Sequence, residues 1–174
     1  MDNDTYLVES QKTMANKPLD LETVPLTVLE QCLHSCINVG TQADAVKKGL
    51  FYGKPLRHTL SYARTGDSSL HVGNVDKDLI HAAFGIFTEA TEMLEALLKA
   101  MQSEDGKVDK VNFVEELGDV EWYMAQVYRA LNTTPERVKQ KNIDKLRQRY
   151  GDSFNNDKAI KRDLPKERKI LEER

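Results

Sequence analysis

Glu89 and Glu92 form an E-x-x-E pair, and Glu116 and Asp119 form an E-x-x-D pair further along the chain. Residues three apart occupy neighbouring positions on a helix face, so each pair can converge on one ion. Four carboxylates with no cation between them repel one another and resist burial. A hard divalent ion resolves that conflict, and an oxygen donor set without His or Cys suits Mg²⁺ or, as a substitute, Mn²⁺. The plainer alternative is an exposed solubilising face. Asn142, Lys145 and Arg149 offer the opposite chemistry, spaced i, i+3 and i+7 on one helix face. Lys supplies a point charge and Arg a fork for phosphate oxygens, while Asn orients a sugar or a phosphate.

The charge distribution follows the same division. The 174 residues carry 28 Asp+Glu and 25 Lys+Arg, a formal net charge of −3. Residues 89–121 hold 10 acids and 3 bases, whereas residues 137–174 hold 13 bases and 7 acids. A metal–phosphate substrate needs a cation site beside an anion site. The acidic segment and the negative total argue against nucleic acid as a partner. No apolar run approaches the ~20 residues that span a bilayer, and the polar first 22 residues lack the apolar stretch of a secretion signal. The expectation is a cytoplasmic protein with no membrane partner. Cys32 and Cys36 are too few for a disulfide framework or a four-ligand zinc site, and they are expected as buried thiols in a reducing compartment. Bundle di-iron centres use two Glu-x-x-His motifs; Asp78-x-x-His81 is the nearest approach here, and His81 reads as a core or capping residue. No phosphate-binding glycine loop or Ser/His/Asp pattern is present.

The elements that must hold these residues are helical. Leu26, Leu29, Leu33, Cys36 and Ile37 repeat with helical spacing after Pro25, and the chain is expected to break around Gly49 and Gly53. A shorter piece is expected over about 55–65, then loop at 66–69 and 73–74. From Lys77 to about Met101, Ile80, Ala83, Phe84, Phe87, Ala90, Leu94, Leu97, Leu98 and Met101 form a wide apolar stripe. A turn at 103–107 leads to a helix from about Val111 to Leu131, whose Phe113, Leu117, Val120, Met124, Val127 and Leu131 form a bundle seam. Thr134-Pro135 opens a basic helix that Gly151 stops. Another short charged helix is expected within 157–174. Counting outward from Gly106 places Glu92 and Asp119 at nearly the same height of an antiparallel hairpin. Glu89 and Glu92 lie opposite the stripe, so a further helix or subunit is needed to close a site over them. Residues 33–43 and 80–90 match weakly at a constant offset, with Gln42 where Glu89 stands and Ala45 where Glu92 stands. No run alternates with period two, so the fold is expected to be all-α, a helical bundle. The organisation expected is a flexible arm at 1–22, a helical catalytic domain at 23–150 and a charged tail at 151–174.

Taken in order, the strings Ile80-H-A-A-F-G-I-F-T-E-A-T-E, Asn112-F-V-E-E-L-G-D-V-E-W-Y and Lys141-N-I-D-K-L-R-Q-R-Y resemble the MazG-like, all-α nucleoside triphosphate pyrophosphohydrolases over roughly residues 60–165. The resemblance implies that Glu89, Glu92, Glu116 and Asp119 bind Mg²⁺ and form the catalytic set. It implies that Asn142, Lys145 and Arg149 contact the nucleotide, and that homodimers or homotetramers complete the site. The reaction implied is hydrolysis of a (d)NTP to the monophosphate and pyrophosphate; a narrower substrate such as dUTP or a guanosine alarmone fits the same metal motif. A non-catalytic helical interaction module is the reading from a different class. The chain departs from the family pattern at Thr88, where many relatives carry a further Glu, and at Thr91, where Gly is frequent. Phe51-Tyr52-Gly53-Lys54-Pro55 also comes before the Glu-bearing helix here, not after it. Trp122 and Tyr123 are candidates for a base-binding wall, with Trp122 expected in the core.

Overall fold

The computed structural model describes residues 1–15, 18–56, 70–71 and 73–172. Every regular element among them is a helix: α1 (Asn3–Gln11), α2 (Leu26–Tyr52), α3 (Lys77–Gln102), α4 (Lys110–Ala130), α5 (Pro135–Tyr150), α6 (Asn156–Ile160) and α7 (Leu164–Glu172). The protein is all-α, as its periodicity predicts. None of the described helices is long and apolar enough to cross a membrane. The expected helical piece over 55–65 and the loop at 66–69 fall largely outside the described residues.

The chain divides into two compact units, Asp20–Leu131 and Met1–Leu19 with Asn132–Arg174. The expected 23–150 domain therefore has residues in both.

In the Asp20–Leu131 unit, α3 is central and packs against α2 on one side and α4 on the other. Helix α2 runs straight through Gly49 and stops at Gly53, whose φ of +67° is the left-handed geometry that ends helices. Gly49 interrupts nothing because one internal glycine costs only about 1 kcal/mol against Ala. Asp76 caps α3, and Asp109 caps α4 by accepting from the amides of Val111 and Asn112. Two close approaches set the helix spacing. A β-carbon on Gly40 of α2 would stand 2.2 Å from the Thr91 side chain of α3, and one on Gly85 of α3 would stand 2.3 Å from the Tyr123 ring of α4. Both are far inside van der Waals contact, so only glycine permits these helices to come so near.

The expected inner faces are corrected by this packing. On α3 the buried residues include Ala82, Gly85, Thr88, Glu89, Thr91, Ala96, Leu98 and Ala100, while Ala83, Phe87 and Ala90 of the apolar stripe are exposed. On α4 the buried residues are Glu116, Tyr123 and Gln126, and Leu117 and Leu131 of the seam lie open. The cause is geometric. Small residues let three helices pack closely, and the buried Lys47, Thr88, Glu89, Thr91 and Glu116 have hydrogen-bond partners.

In the second unit, α1, α6 and α7 pack against α5. Residues 3–11 are helical although their sequence shows no apolar periodicity; Asp2 caps them, accepting from the Thr5 amide at 2.8 Å. Glu9 of α1 pairs with Arg147 of α5 at 2.6 Å. Thr134 caps α5 with Pro135 in its first turn, and Gly151 ends it, both as the sequence predicts. Ile143, at 1% exposed, is the centre of this unit. The charged C-terminal stretch forms two short helices, α6 and α7, where one is expected.

Candidate metal centre

Each carboxylate is placed by a helix face. Glu89 and Glu92 lie one turn apart on α3, and Glu116 comes across from α4. One carboxylate oxygen from each of these three residues lies within 4.8 Å of the others. This is the spacing at which three ligands share a single ion. Asp119, on the next turn of α4, is exposed and stands outside this group. A symmetric hairpin about Gly106 would pair Glu92 with Asp119, whereas the structure sets Glu92 against Glu116. Contact between Gly85 and Tyr123 fixes the true register, about one helical turn from the symmetric count, which would put Gly85 opposite Val127. The reason lies in the connection: residues 106–109 are not helical, and extended chain covers ~3.3 Å per residue against ~1.5 Å in a helix.

The further packing surface demanded by Glu89 and Glu92 is α2. Lys47, 4% exposed, extends its ammonium to Thr88 Oγ1 at 2.7 Å and to Glu89 Oε1 at 3.2 Å, and it stands 3.4 Å from Asp44 Oδ1. Its charge also lies 5.2 Å from the centroid of the Tyr123 ring. The Thr88 hydroxyl stands 2.9 Å from the Gly85 carbonyl and 3.1 Å from Glu89 Oε1. Glu116 accepts from the Asn112 amide at 2.7 Å. Sequence reasoning missed Lys47, Asp44 and Asn112. Lys47 had one legible signal, a cation at a position that continues the inner face of Leu33 and Gly40.

The electrostatics follow from these neighbours. Loss of water around the Glu92 carboxyl, then the charges of Glu116 and Glu89, push it up to about 7, although the residue as a whole is exposed. Burial also raises Glu116, against the opposing hydrogen bond from Asn112. Burial pulls the Lys47 ammonium down, but Tyr123 and Glu89 outweigh it and hold the group above the ordinary lysine value. The carboxylates are therefore under-compensated, with one buried cation against three close acids. All the donors in the group are carboxylate oxygens, a set that fits a hard cation such as Mg²⁺ or Mn²⁺.

Beside the carboxylates is a group of rings. His81 stacks on Phe51 at 4.2 Å between centroids, meets Tyr123 edge-on at 5.4 Å and Trp122 at 6.2 Å, and its Nε2 lies 3.1 Å from the Tyr52 hydroxyl. Burial, then the Lys47 charge, lowers its pKa. His81 is thus a half-buried member of an aromatic cluster. Trp122 is 55% exposed, which corrects its expected place in the core; Tyr123 takes that place. Cys32 is exposed and Cys36 half-buried, so neither is the buried thiol expected of it.

Asn142, Lys145 and Arg149 all lie on α5, in the other unit. Their surroundings differ. Asn142 Oδ1 accepts from the Tyr6 hydroxyl at 3.4 Å. Arg149 is gripped by Glu167 of α7 through Nε at 2.8 Å and Nη2 at 2.6 Å, and its other terminal nitrogen stands 3.4 Å from the Tyr150 hydroxyl. Arg162 adds a second pair to Glu167 at 2.6 Å. Arg149 first, then Arg162, holds the Glu167 carboxyl down at about 2. Lys145 is half-buried on the same helix.

Among known proteins, the chain is 32% identical over 90 residues to the "Gene 37 protein" of Mycobacterium phage L5, a match covering 48% of this chain and 79% of that protein. No protein-family model and no solved structure matches the chain. By the extent of the shared sequence, the chain belongs to the family of that phage protein.

Proposed function

We propose that this member of the Gene 37 protein family is a Mg²⁺-dependent nucleoside triphosphate pyrophosphohydrolase, cleaving a (d)NTP to the monophosphate and pyrophosphate. The observation that carries the reading is the convergence of Glu89, Glu92 and Glu116 within 4.8 Å on facing helices. Their order along the chain, and the Asn142/Lys145/Arg149 helix after them, resemble those of the MazG-like enzymes.

Glu89, Glu92 and Glu116 would hold the ion, with Asp119 proposed as a fourth ligand one turn beyond Glu116. Bound Mg²⁺ supplies neutralisation of the phosphate chain and of the charge that develops on the leaving pyrophosphate. Thr88 cannot act as a general base where a glutamate would, and its hydroxyl is already engaged by Lys47. Trp122 and Tyr52, both more than half exposed at the ring cluster, are proposed to stack on the base. Asn142, Lys145 and Arg149 are proposed to contact the nucleotide; for Arg149 that means sharing its guanidinium with Glu167 or releasing it.

A homodimer or homotetramer is part of the proposal. Val111, Val114 and Leu117 leave an apolar face of α4 exposed, from 50% to 81% each. Exposed apolar faces of this kind mark association surfaces. The same face favours the second reading, a helical interaction module with no catalysis.

A Mg²⁺-dependent assay over the eight common NTPs and dNTPs, resolving pyrophosphate from orthophosphate, tests the function. Monophosphate with pyrophosphate supports it. Diphosphate with orthophosphate places the cut elsewhere, and no turnover favours the interaction module or a rarer nucleotide.

A further inference from the structure

Lys47 belongs to neither acidic motif, yet among the described residues it is the buried cation of the α2–α3–α4 unit. An ammonium out of water is unfavourable unless its charge is met. Here Glu89 and Asp44 meet it at 3.2 and 3.4 Å, Thr88 accepts from it at 2.7 Å, and the face of Tyr123 lies beside it. Its ion pairs among the described residues are with these two acids and not with Glu92 or Glu116. Lys47 therefore engages the carboxylate cluster from its α2 side and ties one oxygen of Glu89, which leaves that carboxylate a second oxygen for another cation.

We propose that Lys47 is a positioning residue, which holds the Glu89 carboxylate in one orientation so that it is pre-set for the ion shared with Glu92 and Glu116. This rests on the metal reading above. The opposite account is a tethered competitor, an ammonium occupying the ion's own place. The contacts favour positioning, because a competitor would bridge all three carboxylates and Lys47 reaches one of them. Groups that orient a ligand from behind commonly set metal affinity by ten- to hundredfold.

The test is Mn²⁺ binding to the full chain, by calorimetry and by the loss of free-ion paramagnetic resonance signal, with melting temperatures recorded without metal. Lys47→Met should weaken Mn²⁺ binding by about ten- to hundredfold. Thr88→Val, which leaves the ammonium in place, should weaken it less. Lys47→Met combined with Glu89→Gln should bind no more weakly than Glu89→Gln alone, because the two residues act as one unit. If Lys47→Met fails to fold, Thr88→Val carries the test, and wild-type affinity in that variant counts against positioning. Equal or tighter Mn²⁺ binding by Lys47→Met overturns the proposal, and tighter binding identifies the competitor. Wild-type protein that binds no Mn²⁺ overturns the metal reading and this proposal with it. Non-additive melting shifts of the two variants would then still register the Lys47–Glu89 contact as structural.

Discussion

Gly85 of α3 lies against the ring of Tyr123 on α4, so closely that a β-carbon at Gly85 would meet three ring atoms at 2.3–2.4 Å. That contact fixes the register of the hairpin and so decides which carboxylates face one another. It also fixes the ring beside the Lys47 ammonium. A glycine on one helix thereby sets the position of a lysine on another.

Gly85→Ala should destabilise the protein by about 1–3 kcal/mol, the usual result of forcing a methyl group into a filled space. Urea unfolding measures this directly. Tyr123→Leu in the same background should recover part of the loss, because a smaller, flexible side chain can yield. A Gly85→Ala protein as stable as wild type would mean that the helices can separate without penalty.

Glu92 makes the metal-free protein sensitive to pH. Its carboxyl titrates at about 7 when folded, against an ordinary value of 4.5. Between those values the folded state binds more protons than the unfolded state, so stability falls as pH rises from 4.5 to 7. With the residue open to water on one side, the effect should be about 1 kcal/mol after screening. Glu92→Gln should flatten that part of the stability profile, and a profile unchanged by the substitution would remove Glu92 from the coupled cluster.

Glu167 works with the opposite sign. Its carboxyl is held at about 2, so its contribution is complete above 4.5 and is lost as pH falls towards 2. Glu167→Gln leaves Arg149 without its forked partner in a buried setting. Removing one member of a buried pair costs about 3–5 kcal/mol; Arg162 is half open to water, which places this site at the lower end. Chemical denaturation followed at Tyr150, against a Glu172→Gln control on the exposed end of α7, measures it.

Asp119 separates the resemblance from the geometry. It is exposed, so Asp119→Asn should leave the metal-free melting temperature unchanged. If it joins the ion as a fourth ligand, the same substitution should cut Mg²⁺-dependent turnover at least about tenfold, as loss of a ligand or its support does. Turnover equal to wild type would limit the ligand set to Glu89, Glu92 and Glu116.

The exposed face of α4 predicts association. Light scattering after size exclusion should report a dimer or tetramer, and Val114→Glu with Leu117→Glu should shift it towards monomer without loss of helix. A monomeric wild-type protein at tens of micromolar would leave that face without the proposed partner.

The sequence by itself determined helices α2 to α5 and most of their ends, but not α1, which carries no apolar periodicity. Pro135, Gly53, Gly151 and the capping Thr134 act within a few residues of themselves, so their effect is legible without any partner. It also put Glu89, Glu92 and Glu116 within reach of one another, because i,i+3 spacing and a hairpin need little else. Only the tertiary structure decided which faces are inside. The apolar stripe of α3 points partly outward, and Thr88, Glu89 and Glu116 are buried instead, because Gly40 and Gly85 let polar partners come close enough to satisfy them. Lys47 shows why the rest was hidden. A lysine far from Glu89 in the chain carries no periodic signal of its destination, and its burial is affordable only where a carboxylate, a hydroxyl and a ring from two other helices meet it.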